Sequence, residues 1–371
     1  MRNEHIALGV ALRHELHANP ELSMQEVWTK QRLMDFLREH TALELIDRGN
    51  WFFAAYRSGS ARPGIAFRAD MDGVPVEESP ELVPYASCRP GAGHKCGHDG
   101  HCASLAVFAL GLEELSPDRD VFLLFQHAEE TGQGAVECAA LLDEENISEI
   151  YAFHNLPGLS LGAAAAPDGV AQFASTGVIL RFKGEKSHAS YPENGRNPAY
   201  AIAEIISRLP QLAHPGQYQG LVLITVIQVN VGERAFGTSA GAGELLLTVR
   251  AEREEELDAL LSALEKFSRE TADAHGLAFG IAYEDRFPET RNHPAAAEKV
   301  RRAAERAGIP VETLPERFRA SEDFGHYTKR IPGAMFYIGD GDSPPLHTAG
   351  FDFPDALIPV AVRLFRQLLK E

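Results

Sequence analysis

Residues 93–101, Gly-His-Lys-Cys-Gly-His-Asp-Gly-His, contain three histidines, a cysteine and an aspartate within nine positions. They come directly before the apolar run 103–110, which is typical of a buried helix. The stretch therefore forms a loop that enters a helix, where backbone N–H groups and the helix dipole favour an anionic ligand such as a thiolate. Cys96 and His98 are separated by one glycine and can face the same metal ion. Alternatively, the histidines are surface residues and Cys96 is a buried apolar group.

The composition indicates an ordinary globular protein. With 371 residues, two domains are expected. The net charge of −18 argues against nucleic acid or an anionic membrane as a partner. The first residues, 1–5, carry no apolar signal core, and no apolar run is long enough for a membrane helix. The four cysteines show no disulfide-framework spacing. We therefore expect a cytoplasmic protein with reduced thiols.

Acidic and histidine side chains follow three predicted strands at the points where the strands end. Asp70 and Asp72 follow strand 64–68, Glu129 and Glu130 follow strand 121–125, and His154 follows strand 150–153. Taken singly, such residues are more often solvated turns or hydrogen-bonded histidines. Because α/β proteins bind ligands at the carboxyl edge of the sheet, the joint placement favours a site there.

Five side chains offer the donor atoms that borderline divalent ions prefer, and they are Cys96, His98, Glu130, His154 and His347. Thiolate, imidazole and carboxylate together suit zinc, and also cobalt, nickel or manganese. Five ligands exceed one tetrahedral ion, which favours two ions bridged by the thiolate of Cys96. In the pair Glu129–Glu130, one carboxylate can ligate while its neighbour handles a proton, and Asp72 can orient a ligating histidine.

The pattern of predicted elements changes near residue 174. The order β-α-β-β-α-β follows, as in a ferredoxin-like unit, and α/β alternation returns after Pro288. We therefore predict an α/β fold in which residues 1–173 and 286–371 form a catalytic domain with a helix-covered mixed sheet. Residues 174–285 form an inserted ferredoxin-like α+β domain that serves as a dimerisation surface or lid. His188 lies in this insertion, either as a surface residue or as a group that stabilises an oxyanion on closure.

Two short patterns predict helix starts. Ser23-Met24-Gln25-Glu26 is a capping box, which predicts a helix over 23–40. Residues 321–324, Ser-Glu-Asp-Phe, are expected to cap a short helix. We expect supporting or surface positions for His94 and His101, and for Asp99 a helix cap or a hydrogen bond to a ligand.

At these residues the chain resembles the M20 metallopeptidases, in the amidohydrolase branch that contains hippurate hydrolases, N-acyl-amino-acid deacylases and auxin-conjugate hydrolases. The matching segments come in the family's order and span nearly the whole chain. They are 17–23 (HANPELS), 68–75 (RADMDGVP), 94–101 (HKCGHDGH), 126–130 (QHAEE), 187–189 (SHA), 321–324 (SEDF) and 346–347 (LH).

The resemblance implies a metallopeptidase-like catalytic domain that holds two divalent metal ions. It implies an amidohydrolase that cleaves the amide bond of an N-acyl amino acid or a related small peptide-like substrate through a metal-activated water. The implied metal ligands are Cys96, His98, Glu130, His154 and His347. Glu129 is the implied general base and Asp72 supports the metals. The resemblance also implies a homodimer formed through the inserted domain, in which His188 serves the active site of the partner subunit.

Three segments depart from the family pattern, and they leave the substrate open. His127 stands where the family has proline, Lys186 and Ser187 stand where it has two glycines, and residues 232–238 replace a stretch similar to Asn-Val-Ile-Pro. The same residues allow two other functions. Cys96 as a nucleophile with His98 as its base is disfavoured, because residues so close in a loop rarely reach that geometry. A metal-binding relative without turnover would be marked by loss of Glu129 or of a ligand, and none is lost.

Overall fold

The computed structural model describes residues 2–314 and 318–371 of the chain. The helices are α1 (Asn3–Ala18), α2 (Val27–His40), α3 (His98–Leu110), α4 (Leu112–Leu115), α5 (Gly134–Cys138), α6 (Ala140–Glu144), α7 (Ala199–Leu212), α8 (Glu254–Ala274), α9 (Pro294–Arg306), α10 (Gly325–Thr328) and α11 (Leu357–Leu368). The strands are β1 (Glu44–Asp47), β2 (Phe52–Tyr56), β3 (Gly64–Asp70), β4 (Val121–Gln126), β5 (Ile147–Leu156), β6 (Ala164–Ala165), β7 (Gly169–Gln172), β8 (Ala174–Lys183), β9 (Ser187–His188), β10 (Val222–Val231), β11 (Thr238–Ser239), β12 (Ala242–Ala251), β13 (Ala278–Phe287), β14 (Thr290–Asn292) and β15 (Gly333–Gly339).

The described chain divides into two compact units. The second comprises Gln172–Glu289 and Arg319–Ser321, and the first comprises the remaining described residues. The predicted domain division, with residues 174–285 as the insertion, stays a prediction. Among the described residues, no helix is both long and apolar enough to cross a lipid bilayer.

A seven-stranded sheet forms the centre of the first unit. Its order is β1-β2-β4-β3-β5-β15-β6. The four inner strands β4, β3, β5 and β15 run parallel. Strands β2 and β6 pair antiparallel with β4 and β15, and β1 pairs antiparallel with β2. Parallel strands carry their carboxyl ends to the same edge of the sheet, so the residues at the ends of β3, β4 and β5 lie along that edge. The predicted end of the third strand is wrong, because β5 continues to Leu156 and His154 lies within it near its carboxyl end. The predicted α/β class with a mixed central sheet is confirmed.

The inner strands are mostly apolar because both faces of the sheet are covered, and most of their polar residues lie towards the carboxyl ends. In β4, Leu123 and Phe125 pack in one hydrophobic cluster with helices α3 and α11, while Phe122 and Leu124 pack in another with α5 and α6. Helix α3 is buried along nearly its whole length, as the apolar run 103–110 predicts. Its place beside β3 fixes the residues at its N-terminus against the carboxyl edge of the sheet.

The predicted capping box at 23–26 is not formed. Helix α2 begins at Val27, and the side chain of Glu21 accepts hydrogen bonds from the backbone N–H groups of Trp28 and Thr29 instead. The hydroxyl of Ser23 donates to Asp72 over 2.7 Å. A tertiary partner therefore competes successfully with the local cap that Ser23 would otherwise form.

The second unit contains its own sheet and hydrophobic core. Its main elements run in the order β8, α7, β10, β12, α8, β13, and the sheet order is β10-β12-β8-β13 with antiparallel neighbours. Buried leucines of α8, such as Leu257, Leu260 and Leu264, recur at helical spacing and pack in one cluster with residues of the sheet. The assignment to the ferredoxin-like class stays a prediction.

Candidate metal centre and active site

Gly97 turns the chain between the candidate ligands Cys96 and His98. Its φ is 102°, in the left-handed region that glycine adopts most readily, and a Cβ at this position would clash with the side-chain oxygen of Asn155. His98 is the first residue of α3, and both candidate ligands are buried. Glycine is therefore required here for backbone conformation and for close packing alike.

The five predicted ligands lie in one cluster. The Sγ atom of Cys96 is 3.4 Å from Nε2 of His154 and 3.2 Å from Nε2 of His347. Oε1 of Glu130 is 3.4 Å from Nε2 of His347 and 3.7 Å from Nε2 of His98. Donor atoms lie within 4.8 Å of one another in the group Cys96–His98–His154 and in the group Cys96–Glu130–His347. The two groups share the thiol of Cys96, while the ligand assignment itself stays a prediction.

Two donor atoms of this cluster lack hydrogen-bond partners among the described residues. They are the buried Nε2 of His98 and the buried Oε1 of Glu130. A buried polar atom without a partner costs on the order of 1–3 kcal/mol. A cation beside both atoms would satisfy them, and the thiol, imidazole and carboxylate donors are those of a borderline divalent ion. The residues present therefore fit a divalent metal.

The protonation of the cluster also depends on a cation. Burial raises the pKa of the Cys96 thiol well above its ordinary value, and the carboxylates of Glu130 and Glu129 raise it further. Burial lowers the pKa of His154 well below its ordinary value, so that imidazole is neutral, as a metal ligand must be. A thiolate at Cys96 requires a positive charge beside it.

Asp72 orients His98. Nδ1 of His98 lies 2.9 Å from the backbone oxygen of Asp72 and 3.2 Å from its Oδ1, so Nδ1 carries the proton and Nε2 faces the cluster. Oδ2 of Asp72 accepts hydrogen bonds from the hydroxyl of Ser23 and from the backbone N–H of Glu130. Burial raises the pKa of Asp72, but these contacts outweigh it and lower the pKa overall.

Glu129 lies beside the ligand cluster and is 5% exposed. Its Oε2 is 3.9 Å from Nε2 of His98. Burial and then the carboxylates of Glu322 and Glu130 raise its pKa well above the ordinary value. A raised pKa allows a carboxylate to accept and hold a proton near neutral pH. The preceding residue, Ala128, has a φ of 48°, and its backbone N–H donates to the side chain of Glu26 over 2.7 Å.

A buried arginine behind Glu129 was not predicted. The guanidinium of Arg68 donates to Asp70 at 2.7 Å, to Glu322 at 2.9 Å and to Asp323 at 2.9 Å. Oxygens of Asp70, Glu129 and Glu322 lie within 4.8 Å of one another. Glu322 and Asp323 therefore offset the charge of Arg68 and add negative charge near Glu129. The expected capping of α10 by residues 321–324 is wrong, because the helix has no side-chain cap at its N-terminus. In the sequence, the acidic pair at 322–323 was the signal that could have indicated a buried partner of opposite charge.

Besides the candidate ligands and Lys95, the titratable side chains of the 93–101 stretch are His94, Asp99 and His101, and all three are buried. His94 and His101 are each 1% exposed, so the surface alternative is wrong for both. His101 bridges Oδ1 of Asp70, at 2.6 Å, and the side-chain oxygen of Asn155, at 2.7 Å. Asp99 makes no helix cap, because its carboxylate faces α1 instead.

His188 lies in the second unit, in the short strand β9, which pairs with β11. Its side chain is exposed, and its Nδ1 accepts a hydrogen bond from the backbone N–H of Ser190 over 3.1 Å. The departures at residues 186–187 and 232–238 lie in the same unit, and Lys186 forms an ion pair with Glu233.

Comparisons with known proteins identify the family. The sequence profile of peptidase family M20/M25/M40 matches residues 66–371. N-acetylcysteine deacetylase of Bacillus subtilis is 28% identical over 97% of this chain and 95% of the relative. N-acetyldiaminopimelate deacetylase of Exiguobacterium sibiricum is 28% identical over 98% of this chain and 99% of the relative. The crystal structure of a Bacillus subtilis dinuclear metal-binding peptidase of the M20 family superposes with a TM-score of 0.84, at 25% identity, over 100% of this chain and 98% of that one. The resemblance seen in the motifs is confirmed, and the chain belongs to peptidase family M20/M25/M40.

Proposed function

We propose that this protein is a metal-dependent amidohydrolase that cleaves the amide bond of an N-acyl amino acid or a related small peptide-like substrate. The observation that carries the proposal is the cluster of five donor side chains of three kinds (thiol, imidazole and carboxylate) beside the buried carboxylate of Glu129. The names of two relatives, deacetylases of N-acetylcysteine and N-acetyldiaminopimelate, support this class of substrate.

The proposed cofactors are two divalent ions, as in the dinuclear M20 peptidase. Cys96, His98, Glu130, His154 and His347 would hold them, with the thiolate of Cys96 shared. Zinc, manganese, cobalt and nickel all suit this donor set. When bound, such ions lower the pKa of a water molecule and polarise a carbonyl oxygen.

Glu129 is the proposed general base. Its carboxylate takes a proton from the attacking water and returns it to the amine nitrogen when the amide bond breaks, so its raised pKa suits both steps. The products are a carboxylate and a free amino group. Asp72 acts as a positioning residue, because it holds the ring of His98 and the backbone of Glu130.

We also propose a homodimer formed through the second unit. Strand β10 lies at an edge of its sheet, and Val226, Ile227 and Val229 on it are 39%, 58% and 45% exposed. An exposed apolar edge strand is a surface that pairs readily with another copy. In such a dimer His188 of the partner subunit is proposed to stabilise the developing oxyanion. A cytoplasmic location is the further proposal, supported by four cysteines that form no disulfide in the described residues.

The test combines elemental analysis of the purified protein with a screen of N-acyl amino acids. We expect divalent metal in the protein, hydrolysis of at least one member of the screen, loss of activity with a chelator and recovery on adding metal. Full activity in metal-free protein would contradict the metal-dependent mechanism. Bound metal without any turnover would instead favour a binding or regulatory role.

A further inference from the structure

Lys95 occupies an unusual position for a lysine, because it is fully buried next to the candidate ligand Cys96. Its ammonium forms an ion pair with Glu78 and donates a hydrogen bond to the backbone oxygen of Phe351 over 2.8 Å. Its backbone oxygen accepts a hydrogen bond from the N–H of His347 over 2.7 Å. Lys95 therefore binds the segment 347–351 at both of its ends.

The segment 347–351 needs such a restraint. It belongs to an irregular loop between β15 and α11. His347 has a φ of 60°, in the left-handed region that residues other than glycine rarely adopt. A strained residue keeps its conformation only where its surroundings impose it. Apart from a turn between Phe351 and Thr348, the backbone hydrogen bonds that the segment makes with other described residues are those to Lys95.

Lys95 is in turn held by Glu78. The Glu78 carboxylate also accepts hydrogen bonds from Nε2 of His17, at 3.1 Å, and from the backbone N–H of Ser87, at 2.6 Å. Burial raises the pKa of Glu78, but the hydrogen bonds from His17 and Lys95 outweigh it and lower the pKa to about 2. The carboxylate is therefore ionised and can hold the lysine ammonium in one place.

We propose that Lys95 is a positioning residue that completes the more exposed of the two metal positions, the group Cys96–Glu130–His347, by holding His347 in its strained conformation. The imidazole of His347 is half-exposed, with a side-chain exposure of 50%, whereas the other histidine ligands are buried. Without the ammonium of Lys95, the loop would be free to carry this ring away from Cys96. The inference rests on the proposed function only for the identity of the metal ligands.

The experiment measures metal binding and needs no substrate. Lys95→Met keeps the aliphatic stem and the backbone oxygen but removes the ammonium. Because it leaves the buried carboxylate of Glu78 without its cation, the double variant Lys95→Met/Glu78→Gln is made alongside it. His347→Ala serves as the reference for loss of the ligand. Lys299→Met is the control, since it removes a lysine ion pair with Glu149 elsewhere in the first unit.

Each protein is stripped with a chelator and titrated with Zn²⁺ in competition with a chromophoric chelator. We expect the wild type and Lys299→Met to bind two ions per chain. The Lys95 variants should keep one ion and bind the second about tenfold to a hundredfold more weakly. Losses of this size are typical when a residue that supports a metal ligand is replaced. Adding Lys95→Met to His347→Ala should weaken binding no further, because both act through the same ring.

Two ions bound with wild-type affinity in the Lys95 variants would overturn the inference and leave the proposed function intact. A weakening of equal size on the His347→Ala background would also overturn it, because Lys95 would then act through other ligands. A wild-type protein that binds no divalent ion would overturn the proposed function together with this inference.

Discussion

The carboxylate of Asp72 holds the backbone of Glu130, whose N–H donates to Oδ2 over 3.0 Å. The other carboxylate oxygen, Oδ1, lies 3.2 Å from Nδ1 of His98. A single side chain after β3 thus fixes one candidate ligand at the start of α3 and another after β4. This arrangement explains how candidate ligands far apart in sequence keep one geometry.

Replacing Asp72 should therefore weaken metal binding. We expect Asp72→Ala to lower metal affinity by about tenfold to a hundredfold, because His98 and Glu130 lose their common partner. Chelator competition measures the affinity. Ser23→Ala is the matched control, since it removes only one hydrogen bond to Asp72 and should change the affinity by about fivefold at most. Equal effects of the two variants would contradict this role of Asp72.

Glu129→Gln should separate proton transfer from metal binding. The amide keeps the size of the side chain but cannot accept the proton, so we expect the turnover number to fall by about 10²–10⁴-fold with the metal content unchanged. Steady-state kinetics and elemental analysis on the same sample check both parts. Glu113→Gln, at an exposed position of α4, is the control and should behave like the wild type. Normal hydrolysis by Glu129→Gln would show that another group is the base.

His17 should make the stability of the protein depend on pH. Burial alone would lower its pKa, but hydrogen bonds with Asp99 and Glu78 outweigh this and raise the pKa from the ordinary value of 6.5 to about 9. Because the pKa is raised in the folded state, the protonated ring stabilises the fold fully below about pH 6.5. Since a shift of one pKa unit corresponds to about 1.4 kcal/mol, this contribution to the unfolding free energy is roughly 3 kcal/mol. It is lost as the pH rises through about 9.

Urea denaturation between pH 6 and pH 10 measures this effect as the difference between the wild type and His17→Gln at a fixed concentration of metal. We expect the advantage of the wild type to shrink steadily across that window, because the variant has no proton to lose at this position. His14→Gln is the control, since His14 lies on the same helix but forms its ion pair with Asp355, which is partly exposed. Parallel stability curves for the wild type and His17→Gln would contradict the raised pKa.

The sequence indicated the parts of the site that depend on local patterns. Apolar strands followed directly by acids or histidine placed Asp72, Glu130 and His154 at one sheet edge, because strand direction in a parallel sheet decides which ends meet. The ion pair of Arg68 with Glu322 spans 254 residues and has no periodicity, so only the folded structure reveals it. The start of α2 was missed for a related reason, since Ser23 finds a distant partner in Asp72 instead of its own helix.

Replacing Gly97 tests whether close packing against Asn155 positions Cys96 and His98. Gly97→Ala adds a Cβ at a φ of 102° and drives it into the side chain of Asn155. Gly91→Ala is the matched control, because Gly91 also has a positive φ, of 73°, but a Cβ there would meet no atom within 4 Å.

We expect Gly91→Ala to cost only the backbone strain, about 1–2 kcal/mol of unfolding free energy, with normal metal binding. Gly97→Ala should cost more and should also weaken metal binding by at least about tenfold, because Cys96 and His98 must shift together with the displaced backbone. Urea denaturation and chelator competition measure the two quantities. If both variants lose the same stability and both bind metal normally, then close packing against Asn155 does not position the ligands, and the glycine is needed for its backbone conformation alone.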